Sequence, residues 1–208
     1  MFGFLKKKPK RMSSEEAGKV IDLLLESSVK IVRGVKAPEG WDARARLFLQ
    51  AEYGCFLVFI VSNWHRMRPD QVGENPLLLD LYRSEIENGV TGIQIAVGLT
   101  GKPEALTENR CRIYQSVMLN AGLAFTEHWS DVFAHLAFLA HKQRKVLLHD
   151  CESRGDVYDL LLKEGIFPDA LDILYLKSEF SAILEHQLPV QLDMITALHE
   201  ARTGKIIT

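Results

Sequence analysis

Cysteine is scarce in this chain: Cys55, Cys111 and Cys151 are the only three in 208 residues, with no C-x-x-C pair among them. An odd, widely spaced set cannot close a complete intrachain disulfide set, so free thiols in a reducing cytoplasm are expected. Long apolar runs are missing too. The strongest, 55–61, has seven residues, against about 20 for a bilayer span. Upstream it meets Glu52, Gln50, Arg46 and Arg44. The opening Met-Phe-Gly-Phe-Leu precedes its cations instead of following them, the reverse of a secretory leader, so no signal peptide is expected. Fourteen glycines and seven prolines without a period exclude collagen-like and low-complexity chains. A net charge of −2 with 47% apolar residues excludes intrinsic disorder. There is no internal repeat and no Ser/Gly linker, so one domain is expected. No G-x-S-x-G elbow supports nucleophilic catalysis.

What is present reads as helix. Ser13 and Glu16 form a capping box ahead of Val20, Ile21, Leu24, Leu25, Ile31 and Val32, which share one stripe up to Gly34 and Pro38. A second helix is predicted from about 42 to 66. Its segment 55–61 is apolar on every side, the pattern of a central, fully surrounded helix; Phe56, Phe59 and Ile60 are its predicted core and Cys55 a small core side chain. A third helix is predicted over 77–88. Four glycines in 89–101 then predict irregular chain, with 93–97 the best short strand. Further helices are predicted over 103–121, 126–145, 146–163, 169–186 and 190–203. The fold class is therefore all-α: one compact domain of eight or nine helices over 13–208, preceded by a flexible cationic tail over 1–12.

Three patterns bear on chemistry. Gly92 to Lys102 has the order of a phosphate-binding loop. However, G-x-x-x-x-G-K-[ST] requires Gly at 96 and Ser or Thr at 103, which are Ala96 and Pro103. His128, His135, His141 and His149 cluster within 22 residues. Glu127, Asp131, His135 and His128 share one helix face. Such a face suits either a carboxylate–histidine metal site in a bundle or a solvated surface with Asp–His hydrogen bonds. The second is the expected one.

The string Leu147-Leu-His149-Asp150 resembles the core of the HD-type metal phosphohydrolase motif. That resemblance implies a metal held by an upstream histidine (His128 or His135), the His149–Asp150 pair and a later aspartate (Asp172 or Asp193). The plain reading of the same string is a helix-end histidine beside a surface aspartate.

The tail is the remaining feature. Phe2, Phe4 and Leu5 precede Lys6, Lys7, Lys8, Lys10 and Arg11, with no acid in residues 1–12; the rest holds 20 basic against 27 acidic residues, a net of −7. Cations with apolar tips suit an anionic membrane surface or an acidic partner. The acidic body disfavours nucleic acid. The expected function is thus a non-catalytic cytoplasmic adaptor or regulatory protein that works by contact with a protein partner and needs no cofactor. Weak membrane-surface association through the tail, at the inner face of the membrane, fits this reading, as does a homo-oligomer. A metal-dependent phosphohydrolase is the alternative.

Overall fold

The computed structural model describes residues 36–67, 76–98, 103–120, 125–143, 153–165 and 171–186, with the single positions 15, 18, 19, 22, 23, 26, 30 and 190. Among these residues every regular element is a helix: α1 Ala43–Met67, α2 Pro76–Ala96, α3 Pro103–Asn120, α4 Phe125–Gln143, α5 Arg154–Lys163 and α6 Leu171–His186. That is the all-α class expected, in six helices among the described residues; the expected count of eight or nine is not shown.

Helix α1 starts where Asp42 accepts the Ala45 N–H on its side chain at 2.8 Å, the N-cap bond that satisfies an otherwise orphaned donor. Over 48–60 it is surrounded: α2, α3 and α4 all pack on it. Phe56, Phe59 and Ile60 are fully buried, as the unbroken apolar run predicts. Phe56 is the aromatic hub, with edge-on contacts to Tyr114, Trp129 and Phe180 at 5.0, 5.5 and 5.0 Å between ring centres. Gly54 sets the approach of α2, since a Cβ there would lie 2.6 Å from Val90 Cγ2.

Three expectations are corrected. Residues 89–96 are not irregular, and 93–97 is not a strand, because α2 runs through Gly89 and Gly92 to Ala96. Ile86, Val90 and Gln94 recur at i, i+4 and bury one face, while both glycines lie on the exposed side. Packing of the apolar face outweighs roughly 1 kcal/mol of propensity lost per glycine. The helix stops at Gly98, whose φ of 71° suits a residue without Cβ.

The predicted helix 146–163 is broken at Ser153, with α5 starting at Arg154 and residues 146–152 outside the described residues. Ser153 is extended and caps it reciprocally with Asp156, two orphan donors being satisfied at once.

Helix α4 does not present a solvated polar face, for 129–140 is buried all round, Asp131 and His135 included. It is a second central helix, wedged between α1, α5 and α6. Phe133 stacks on Phe180 of α6 with 3.8 Å between ring centres.

Candidate interaction surface

Three polar groupings and one apolar face are candidates for function. The first grouping is a buried ion pair. Glu52 sits mid-way along α1 and Arg110 on α3, 0% and 2% exposed at their side chains. Arg110 Nε donates to both Glu52 oxygens at 2.8 and 2.9 Å, Nη2 lies 2.7 Å from Oε1, and Nη1 donates to the Asn109 side-chain oxygen at 2.7 Å. Burial opposes the charged guanidinium, but the Glu52 charge and its hydrogen bonds outweigh that and hold the Arg110 pKa above its ordinary value. Burial, reinforced by Glu52, pushes the neighbouring Cys55 thiol and Tyr114 phenol well up, so both stay protonated at neutral pH. A closed pair sharing its hydrogen bonds with Asn109 binds α1 to α3 and has no access for substrate.

The second grouping is where α4, α5 and α6 meet. His135 Nδ1 lies 2.6 Å from the Asp131 carbonyl oxygen, which can only accept, so Nδ1 carries a proton. The Asp131 carboxylate lies 3.5 Å from Lys177 Nζ, and the His135 ring meets Tyr158 edge-on at 4.9 Å. His135 is 1% exposed. The group therefore joins three helices and is closed to solvent at its imidazole.

His128, partly exposed, lies one residue before the wholly buried stretch. Seven residues of helix, about 10.5 Å along the axis, separate it from His135. His149, Asp150 and Asp193 lie outside the described residues, so of the HD-like set only His128, His135 and Asp172 are described. Asp172 is described, and its side chain accepts from Trp41 Nε1 at 3.3 Å. Among the described residues no three His, Cys, Asp or Glu side chains are placed to hold a metal ion.

The third grouping lines an open cleft of about 450 Å³ between α1, α2 and α3, with Ser62, Asn63, Arg83, Glu108, Cys111 and Arg112 on its walls. Its charges are balanced, since Arg83 is further tied to Glu87 at 2.9 Å. Burial pushes the Cys111 thiol up to about 12. A thiol so fully protonated is a poor nucleophile. The cleft suits a small polar molecule but holds no reacting group.

The apolar face is on α6. Ile173, Leu176, Phe180, Ile183 and Leu184 form the buried side of that helix. On the opposite side Leu171, Leu174 and Tyr175 are 83%, 50% and 37% exposed. Their i, i+3, i+4 spacing places them next to one another. Elsewhere among the described residues exposed apolar side chains stand singly, such as Ile95 on α2 and Leu162 on α5, which is ordinary for a protein surface. Asp172, Glu179 and Glu185 flank the row, and the only Lys or Arg on α6 is Lys177, turned toward Asp131.

Sequence reasoning missed both the ion pair and this face. Glu52 inside an otherwise surrounded helix was the available signal for the pair, because a buried carboxylate requires a cation. For the face the signal was Leu-Asp-Ile-Leu-Tyr-Leu at 171–176, apolar at five of six positions, more than one buried stripe can use. The tail residues Phe2, Phe4, Leu5, Lys6, Lys7, Lys8, Lys10 and Arg11 lie outside the described residues. Among those described, no helix is long and apolar enough to cross a membrane. Compared with known proteins, the chain matches no family model, no curated protein and no solved structure.

Proposed function

We propose that this chain is a non-catalytic helical protein that acts through contact with a protein partner. The observation that carries the reading is the outward face of α6, where Leu171, Leu174 and Tyr175 form an exposed apolar row bordered by acids. Such a face fits an amphipathic helix whose apolar anchors, at i, i+3, i+4 spacing, are flanked by basic residues. The two buried polar groupings support the same reading, because their charged groups face one another and hold helices together. The cationic tail adds a second contact. Its five cations contribute about 1 kcal/mol each beside an anionic leaflet, and ordering the chain offsets much of that. The result is a weak, reversible attachment to an anionic surface from the cytoplasm.

The test places a photo-crosslinking residue at position 178, inside the row, in the full chain within its own cell. One recurrent cross-linked protein is expected, lost when Leu171, Leu174 and Tyr175 are changed together to Ser. A cross-linking pattern indifferent to those changes sinks the reading. Vesicle co-sedimentation tests the tail: binding should require anionic lipid and weaken with salt. Binding to neutral lipid at high salt would exclude the electrostatic mechanism.

A further inference from the structure

We infer that the cleft between α1, α2 and α3 is a binding site for a small zwitterion, a free amino acid, whose carboxylate is held by Arg83 and whose ammonium is held by Glu108. The cleft is built from α1, α2 and α3 and the contact face from α6, so each site can be tested without the other.

The cleft arises from the way three helices meet. Helices α2 and α3 each pack on α1 more extensively than on one another. A groove therefore opens between them over the last turns of α1, where Ser62 and Asn63 form its floor. Glu108, Cys111, Arg112 and Gln115 recur at i, i+3, i+4 and i+7, so one face of α3 makes one wall. Arg83 of α2 stands on the other. The volume of about 450 Å³ is that of a small-molecule site.

Charge narrows the ligand. Arg83 and Glu108 line the same cleft with opposite signs, yet no ion pair joins them among the described residues. Both act on the Cys111 thiol, Arg83 lowering its pKa and Glu108 raising it, so the two charges lie around that residue. Arg83 uses only its Nε, which donates to Glu87 at 2.9 Å. Its two Nη groups form the fork that suits a carboxylate. Glu108 is exposed and has no ion pair or hydrogen bond among the described residues. Arg83 and Arg112 balance Glu87 and Glu108, which leaves the cleft without net charge. A simple anion would meet two carboxylates here, and a simple cation two guanidinium groups. A molecule carrying both charges meets an opposite charge at each end.

The floor supplies uncharged hydrogen-bonding groups. Ser62 Oγ is buried without a hydrogen-bond partner, which folded proteins seldom leave so. Asn63 is 7% exposed, and its Nδ2 donates to the Phe59 carbonyl at 2.9 Å. Its amide oxygen is then the acceptor on the cleft floor for an ammonium. Gln115, half-buried on α3, adds both a donor and an acceptor. No group in the cleft reacts, since the Cys111 thiol stays protonated. The ligand is therefore bound and released unchanged.

The test titrates the isotope-labelled full chain with each common amino acid in turn, up to about 10 mM, enough to half-saturate a site of that Kd. The side-chain amide signals of Asn63 and Gln115 and the Arg83 Nε–H signal read the cleft directly. At least one amino acid should shift all three saturably. Its N-acetyl derivative lacks the ammonium and its carboxamide lacks the carboxylate. Each should bind at least about tenfold more weakly, the loss of one charged contact. Arg83→Gln should weaken binding of the amino acid by a similar factor and remove its advantage over the carboxamide. Glu108→Gln should do the same against the N-acetyl derivative. The derivatives are compared on the unaltered protein, so the outcome does not depend on a variant folding. Three results overturn the proposal: no amino acid shifts these signals, a derivative binds as tightly as its parent, or sodium acetate and ammonium chloride reproduce the shifts, which would mean that the cleft takes separate adventitious ions only.

Discussion

Glu52 and Arg110 show how one residue decides the fate of another. Each is buried, and each is tolerable only because the other neutralises it through two-oxygen hydrogen bonding at 2.8 and 2.9 Å. Removing one partner leaves an uncompensated charge in the core. Glu52→Ala should therefore cost about 3–5 kcal/mol, whereas changing both residues to apolar ones of similar volume should cost much less. Denaturant titration of the two single variants and the double variant measures this; additive losses would show that the pair does not act as a unit. Phe59 belongs to the other kind of residue, one whose role is packing alone. It lies at 0% exposure between Phe56, Tyr114 and Trp129. Phe59→Ala should cost about 3–5 kcal/mol, and a loss below about 1 kcal/mol would mean that the site collapses to fill the void.

Among the elements, α2 teaches most, because glycine means different things along it. Gly89 is helical and exposed, with nothing within 4 Å of a Cβ built on it. Gly89→Ala should stabilise by about 0.5–1 kcal/mol by restricting the unfolded chain. Gly98 ends the same helix at φ 71°, where a Cβ is strained, and Gly98→Ala should destabilise by about 1–2 kcal/mol. Thermal unfolding of the two variants should thus move in opposite directions; equal shifts would contradict the assignment of the helix end. Arg44 reinforces that end, its Nη2 donating to the Val97 carbonyl at 2.7 Å. Helix α4 was legible in principle. Val132 to Ala140 is apolar at every position except His135, the same pattern that identified the centre of α1. A histidine and an aspartate within it drew attention to chemistry instead of burial.

At the scale of the whole molecule, burial holds three groups in their protonated form. Burial raises Cys55, Cys111 and Tyr114, to about 12 in the case of Cys111. In the unfolded chain a thiol titrates near 8.5. Above that pH the folded state holds protons that the unfolded state has lost, so stability is complete below about pH 8.5 and falls as pH rises. Each group contributes a slope of up to about 1.4 kcal/mol per pH unit within its window. Denaturant midpoints measured from about pH 8 to 11 should fall steadily, and more gently in Cys111→Ser. A flat profile would place these thiols in contact with solvent.

Sequence by itself determined the helical class, the buried centre over 55–60 and the helix start at Pro103. Each follows from local periodicity or from a residue and its near neighbours in the chain. Tertiary structure alone decided that Glu52 meets Arg110 across 58 positions, that Trp41 meets Asp172 across 131, and that Asp131 and His135 are buried while Leu171 and Leu174 are not. A helix stripe shows which side is apolar, but not whether a neighbour arrives to cover it. That depends on how the helices share one core, and among the described residues the outward row of α6 is a surface their packing leaves open.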